Sequence, residues 1–261
     1  MAGENLLRIV NLIVGIVIIV IVLPSPKEKN IMIDLKAHIE ESLEHSYHEV
    51  SKLPQTVYDI PGLTSNKVRC FLNNICTIPN INYLELGVYR GATFCSAIYG
   101  NTLTAIGVDN WSSPVLKPFR SDMWTEWDEK VTRGDPKEEF LKNVKNFKGS
   151  NDISAYDANY WDFDLKQIKN PIDILFYDGE HTHKDQYHMM MNFYNGFSNK
   201  FILIIDDWNW EQGGIFDAFD DLNLLVTFNK QIYTTGEDPQ DYWNGLGIFL
   251  LEKNNKANIN V

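Results

Sequence analysis

From Asp34 onward the hydrophobic positions switch repeatedly between two spacings. Leu35, Ile39, Leu43 and Val50 recur at near-helical intervals, with Glu40, Glu41 and Glu44 between them, which predicts an amphipathic helix. A second helix is predicted over Thr64 to Cys76, with Thr64 or Ser65 as its N-cap. Short apolar runs bounded by turn residues follow. They predict strands at Tyr83–Leu86, Leu103–Val108, Asp152–Tyr156, Ile172–Tyr177, Phe201–Ile205, Leu224–Phe228 and Gly247–Leu251. Helical spacing fills the intervals at Ala92–Tyr99, Pro136–Phe147, Lys184–Tyr194 and Ile215–Leu222. Such alternation implies an α/β fold, a parallel sheet with helices on both faces. Only a polar loop, Asn229 to Asn244, separates the last two strands, so they should pair antiparallel as a hairpin. The Asn-rich tail, Asn254 to Asn260, is expected to fray.

The first 31 residues are different. Leu12 to Leu23 is an unbroken apolar run, and extending it back to Leu6 gives 18 residues interrupted by Arg8 and Asn11. A bilayer core needs about 20 apolar residues, and Arg8 can snorkel to lengthen the span. Pro24, Ser25 and Pro26 stop any helix, and no small-x-small cleavage site follows. Residues 6–23 are therefore either a membrane anchor, a buried strand or helix, or an upstream extension, with Met32 as an alternative start. Arg8 and the amino terminus on one side balance Lys27 and Lys29 on the other, so orientation is unreadable. The expected division is a hydrophobic segment with linker at 1–31 and a single α/β domain at 32–261.

Lys plus Arg number 23 and Asp plus Glu 35, a net charge of −12. A nucleic-acid partner would need a local basic patch. The densest basic stretch, Lys137 to Lys148, is interrupted by Glu138 and Glu139, and no nucleic acid is expected. Cys70, Cys76 and Cys95 form an odd set without zinc spacing, which points to a reducing, cytoplasmic setting for the domain.

The chemistry gathers at the strand ends. The first strand runs into Glu85-Leu86-Gly87-Val88-Tyr89-Arg90-Gly91 before a helix. Gly87 permits a tight turn and close approach of a ligand, and Gly91 permits close helix–strand packing. The second strand ends at Asp109, 24 residues after Glu85, where an acid can accept hydrogen bonds from both ribose hydroxyls. The spacing is not G-x-G-x-x-G, which favours a nucleoside cofactor without a pyrophosphate. Trp111 either flanks an adenine or is a rim aromatic.

The segments E-L-G-V-Y-R-G, G-V-D-N-W, Y-D-G-E-H and I-I-D-D-W resemble the class I S-adenosylmethionine-dependent methyltransferases, most nearly the macrocin- and catechol-type O-methyltransferase branch. The resemblance spans Lys67 to Glu252. It implies a Rossmann-like, seven-stranded, mostly parallel sheet with an antiparallel last strand. It implies that Glu85, Gly87 and Gly91 surround the methionine part of the cofactor, that Asp109 holds its ribose and that Asp157 contacts its adenine. Where many relatives carry a Pro-Gly-Gly turn before the fifth strand, this chain has Phe197-Ser198-Asn199-Lys200.

Asp178 ends the fourth strand and Asp206 and Asp207 the fifth. Adjacent strand ends lie about 5 Å apart, so three carboxylates there call for a positive charge, and Mg²⁺ or another hard divalent cation suits such oxygens. The metal-dependent relatives place ligands at these positions. The simpler reading is that these acids cap turns. His181 lies three residues after Asp178 and can act as a base near neutral pH. His183 reads as a structural helix-start residue, and Met189 to Met191 as packing residues. Trp124, Trp127, Trp208 and Trp210 are candidates for an aromatic wall around an acceptor. The sequence thus points to a Mg-assisted O-methyltransferase acting on a hydroxyl of a small molecule or sugar. The rivals are a same-fold enzyme of hydroxylase-like chemistry and a membrane-tethered binding protein without turnover.

Overall fold

The computed structural model describes residues 33–112, 134–236 and 238–254. The apolar run Leu6–Leu23, Met32, Trp124, Trp127 and the tail beyond Asn254 lie outside the described residues. Among the described residues no helix is long and apolar enough to cross a membrane.

Seven strands form one sheet: β1 Asn82–Leu86, β2 Thr104–Asp109, β3 Asp152–Asp157, β4 Ile172–Tyr177, β5 Phe197–Ile205, β6 Leu224–Ile232 and β7 Leu246–Lys253. Their order is β3-β2-β1-β4-β5-β7-β6. The first five are parallel, and β7 runs antiparallel to both β5 and β6. The expected fold class and the closing hairpin are therefore observed. Along β4, Ile174 and Phe176 enter one apolar layer while Leu175 and Tyr177 enter the other. Burial on both faces is why the central strands read as continuous apolar runs rather than alternating ones.

Seven α-helices are described: α1 Leu35–Tyr47, α2 Gln55–Tyr58, α3 Asn66–Ile75, α4 Ala92–Ile98, α5 Pro136–Phe147, α6 His183–Phe193 and α7 Gly213–Asp221. Residues of α1 to α5, including Ile39, Val57, Phe71, Phe94 and Phe140, share one layer. Met189, Met190, Phe193, Ile215 and Phe219, from α6 and α7, fill the other. Caps explain the boundaries. Asp34 accepts from Lys36 N and Ala37 N, Ser65 from Val68 N, and Asp135 from Lys137 N and Glu138 N ahead of Pro136. The short α2 follows Pro54 and has too few residues to show a period.

Phe197 to Lys200 are not a turn. They begin β5, with Phe197 paired to Ile172 across an irregularity in the β4–β5 ladder. Ser198 Oγ donates to Asp173 at 2.5 Å, which anchors this polar start of the strand.

Candidate functional site

The strand order reverses beside β1, where β2 lies on one side and β4 on the other. Crevices at such switch points, beyond the carboxyl ends of the strands, are where open α/β sheets bind ligands. Four turns meet here, and each holds a non-glycine residue in the left-handed region: Tyr89 (φ 44°) after β1, Trp111 (φ 43°) after β2, His181 (φ 54°) after β4 and Asp207 (φ 51°) after β5. Such conformations persist only where surrounding contacts hold them, and they cluster at functional sites.

Glu85 is fully buried. Its carboxyl accepts from Tyr83 Oη at 2.5 Å and Thr93 Oγ1 at 2.6 Å. Burial pushes its pKa up to about 8, against the lowering by these two hydrogen bonds and with further upward pressure from Asp178 and Asp109. Tyr83 was not expected at this site. It sits two residues before Glu85 on a strand, so the period of two already placed both on one face.

Gly87 has φ 85°, and a Cβ there would lie 1.9 Å from the Asp178 carbonyl oxygen. The turns after β1 and β4 are therefore in direct backbone contact. Gly91, also left-handed at φ 84°, backs onto the Phe140 ring, which a Cβ would meet at 2.9 Å.

Asp109 accepts Tyr89 N at 2.8 Å and Trp111 N at 2.7 Å. Burial raises its pKa, opposed by backbone N–H bonds from Tyr89, Trp111 and Val88. The acid expected to hold a ribose thus orders the glycine turn as well. Trp111 is half-buried, with its indole Nε1 donating to Tyr89 O at 2.8 Å. Asp157 lies opposite Asp109 in the β2–β3 register, exposed and in an ion pair with Lys137 at 2.5 Å.

At the neighbouring strand ends, the charges of Asp178 and Asp207 both act on Asp206. Asp206 is buried, and its Oδ1 has no hydrogen-bond partner. Its pKa stands well above the usual carboxylate range because of burial first, then the charges of Asp178 and Asp207. His181 joins them: its Nε2 lies 3.3 Å from Asp178 Oδ1 and 3.6 Å from Asp207 Oδ2. Burial pushes the imidazole pKa down, but the hydrogen bond and charge of Asp178, with Asp207 and Asp185 behind it, outweigh burial and raise it.

A hard divalent cation matches the chemistry of this oxygen set, and the partnerless Asp206 oxygen is the kind of buried acceptor such an ion satisfies. As placed, no three His, Cys, Asp or Glu side chains among the described residues form a group able to hold a metal ion.

The aromatic wall divides. Trp210 is exposed, with its ring 5.6 Å from that of His181 and nearly perpendicular to it. Trp208 is instead a core residue, packed on Gly247 and Phe249, with Nε1 donating to Gln231. His183 starts α6 and pairs with Asp217 at 2.8 Å, and Met189 and Met190 are core residues.

Residues 84–208 match a protein-family profile described as a methyltransferase domain. No curated protein matches the chain. Solved structures similar to it include an O-methyltransferase from Bacillus cereus in complex with S-adenosylhomocysteine (14% identity, 85% of this chain and 94% of that chain, TM-score 0.48). A magnesium protoporphyrin IX methyltransferase from Synechocystis with bound S-adenosylmethionine shares 10% identity over 81% and 83%, with a TM-score of 0.46. TrmK from M. capricolum, with S-adenosylhomocysteine, shares 16% identity over 70% and 67%, with a TM-score of 0.43. All three TM-scores lie below 0.5.

Proposed function

We propose that this chain, whose residues 84–208 match a methyltransferase-domain profile, uses S-adenosylmethionine and transfers its sulfonium methyl to a hydroxyl oxygen of a small molecule or sugar. The observation that carries this reading is His181, held between Asp178 and Asp207 at the carboxyl ends of β4 and β5. It is one strand away from the glycine turn that Glu85, Gly87, Gly91 and Asp109 would offer the cofactor, with Asp157 and Trp111 toward the adenine.

The sulfonium methyl is already an activated electrophile, so positioning an oxygen in line with it supplies much of the acceleration. The acceptor oxygen attacks the methyl carbon as the C–S bond breaks, and S-adenosylhomocysteine leaves. The hydroxyl proton passes to His181. Asp178 and Asp207 stabilise the imidazolium that forms, as a carboxylate does beside a catalytic histidine. The exposed Trp210 ring beside His181 gives a ring-shaped acceptor an apolar face. The carboxylates around it disfavour a phosphate-rich one. Mg²⁺ is part of the proposal: Asp178, Asp206 and Asp207 would hold it, and it would stabilise an acceptor alkoxide.

The test is methyl transfer from labelled S-adenosylmethionine to a panel of diols, phenols and sugars, with cofactor binding followed by calorimetry. Labelled product with any of them, reduced roughly 10²–10⁴-fold in His181→Ala, is the expected result if His181 is the base. Cofactor binding without transfer to any acceptor would leave the hydroxylase-like or binding-only readings. Undiminished activity in excess EDTA would remove Mg²⁺ from the proposal.

A further inference from the structure

Behind His181 lies a buried acid that the chemistry above does not use. Asp185, in the first turn of α6, has no exposed surface. Its carboxylate is ringed by neutral donors: the hydroxyl of Tyr160 at 2.7 Å, the hydroxyl of Tyr177, the indole of Trp161 and the backbone N–H of Glu180 at 3.2 Å. A buried carboxylate is destabilising unless its lone pairs are satisfied, and here three side chains and one amide satisfy them.

Ordinary helix capping does not account for this arrangement. The Thr182 hydroxyl already accepts Asp185 N at 3.2 Å. In a capping box the acid at this position would return to the N–H of the capping residue, Thr182. Asp185 bonds instead to Glu180 N, in the turn that joins β4 to α6. A second connection reaches the next residue: His181 N donates to Tyr177 Oη at 3.2 Å, and that hydroxyl donates to Asp185. The turn is drawn tightly over these phenols, since a Cβ on Gly179 would lie 2.4 Å from Tyr160 Oη and 2.6 Å from the Tyr177 ring. His181 at the end of this turn is left-handed, at φ 54°, a conformation a non-glycine residue keeps only where its surroundings hold it.

We propose that Asp185 is a positioning residue. Through Glu180 N directly and His181 N by way of the Tyr177 hydroxyl, it holds the strained turn that keeps the His181 ring between Asp178 and Asp207. Its importance for turnover rests on the reading of His181 given above. Its placement of the ring is tested without turnover, so the two can fail separately.

The experiment compares the full chain with Asp185→Asn and Tyr177→Phe, by amide hydrogen exchange and by NMR of ¹⁵N-histidine-labelled protein. Asp185→Asn should exchange the Glu180 and His181 amides at least tenfold faster, Tyr177→Phe the His181 amide, and both should shift the His181 ring signals. Exchange in β1 and β5 should stay unchanged, and so should calorimetric binding of S-adenosylhomocysteine. Tyr177→Phe removes one hydroxyl and keeps the ring, which guards against failure of Asp185→Asn to fold. Unchanged His181 signals and local exchange in a folded variant would overturn the proposal. Faster exchange spread over the whole chain would also overturn it, because Asp185 would then be a general structural residue.

Discussion

Glu85 shows how one side chain links stability, pH and ligand binding. Its folded pKa of about 8 stands above the ordinary 4.5, so the folded chain holds a proton that the unfolded chain has released. The stability this gives is full below the unfolded value and is lost as pH rises through the folded one. Urea unfolding at pH 5 and pH 8 should show the wild type losing stability relative to Glu85→Gln across that window. If the methionine ammonium of the cofactor lies beside Glu85, binding near pH 7 should expel the proton. Calorimetry in buffers of different protonation enthalpy should register release of up to one proton in the wild type and none from this residue in Glu85→Gln. Asp206 presents the same conflict more sharply, because burial and two neighbouring acids penalise its charged form. Asp206→Asn removes that penalty and should melt higher, by about 2–4 °C for each kcal/mol relieved at this chain size, while turnover is lost. An unaltered or lower Tm would show that the charge of Asp206 is compensated by other contacts.

At the scale of elements, the site is an agreement among turns. Gly87 is where two of them touch, since the Asp178 carbonyl occupies the space a Cβ would need. Gly87→Ala forces the β1 and β4 ends apart in a backbone conformation that L residues resist. It should cost about 1–3 kcal/mol and weaken binding of S-adenosylhomocysteine, read by denaturant melts and calorimetry. Retained affinity would mean that the glycine serves packing alone. This level of organisation was largely legible in the sequence. A parallel strand ends in an abrupt change from apolar residues to Gly or Asp, and Glu85, Gly87, Asp109, Asp178 and Asp206 all stand at such changes. What could not be read depends on contacts between distant segments. Trp161 and Tyr160 meet Asp185 across 24 and 25 positions. Trp208 and Trp210 are two residues apart in one loop, yet one is core and the other exposed. Phe197 to Lys200 looked like a turn because Ser198, Asn199 and Lys200 are polar, but the pairing of Phe197 with Ile172 sets the strand start.

For the molecule as a whole, the strand order concentrates the chemistry at the carboxyl ends of the strands on either side of the sheet's reversal, and a charge of −12 sets which acceptors approach it without repulsion. The N-terminal boundary follows from the same local logic. Asp34 begins the folded body by accepting Lys36 N at 3.0 Å and Ala37 N at 3.2 Å with its own carboxylate, so α1 is capped without any residue before it. Residues Asp34–Val261 form one compact unit. A chain beginning at Met32 should therefore fold, melt cooperatively and bind S-adenosylhomocysteine as the full-length protein does. Removal of the apolar run Leu6–Leu23 should also abolish any sedimentation of the full-length protein with lipid vesicles, if that run is an anchor. Aggregation of the shortened chain, under conditions where the full-length protein in detergent stays monodisperse, would mean that the apolar run packs into the domain instead. Equal vesicle binding by both chains would place membrane affinity in the domain itself.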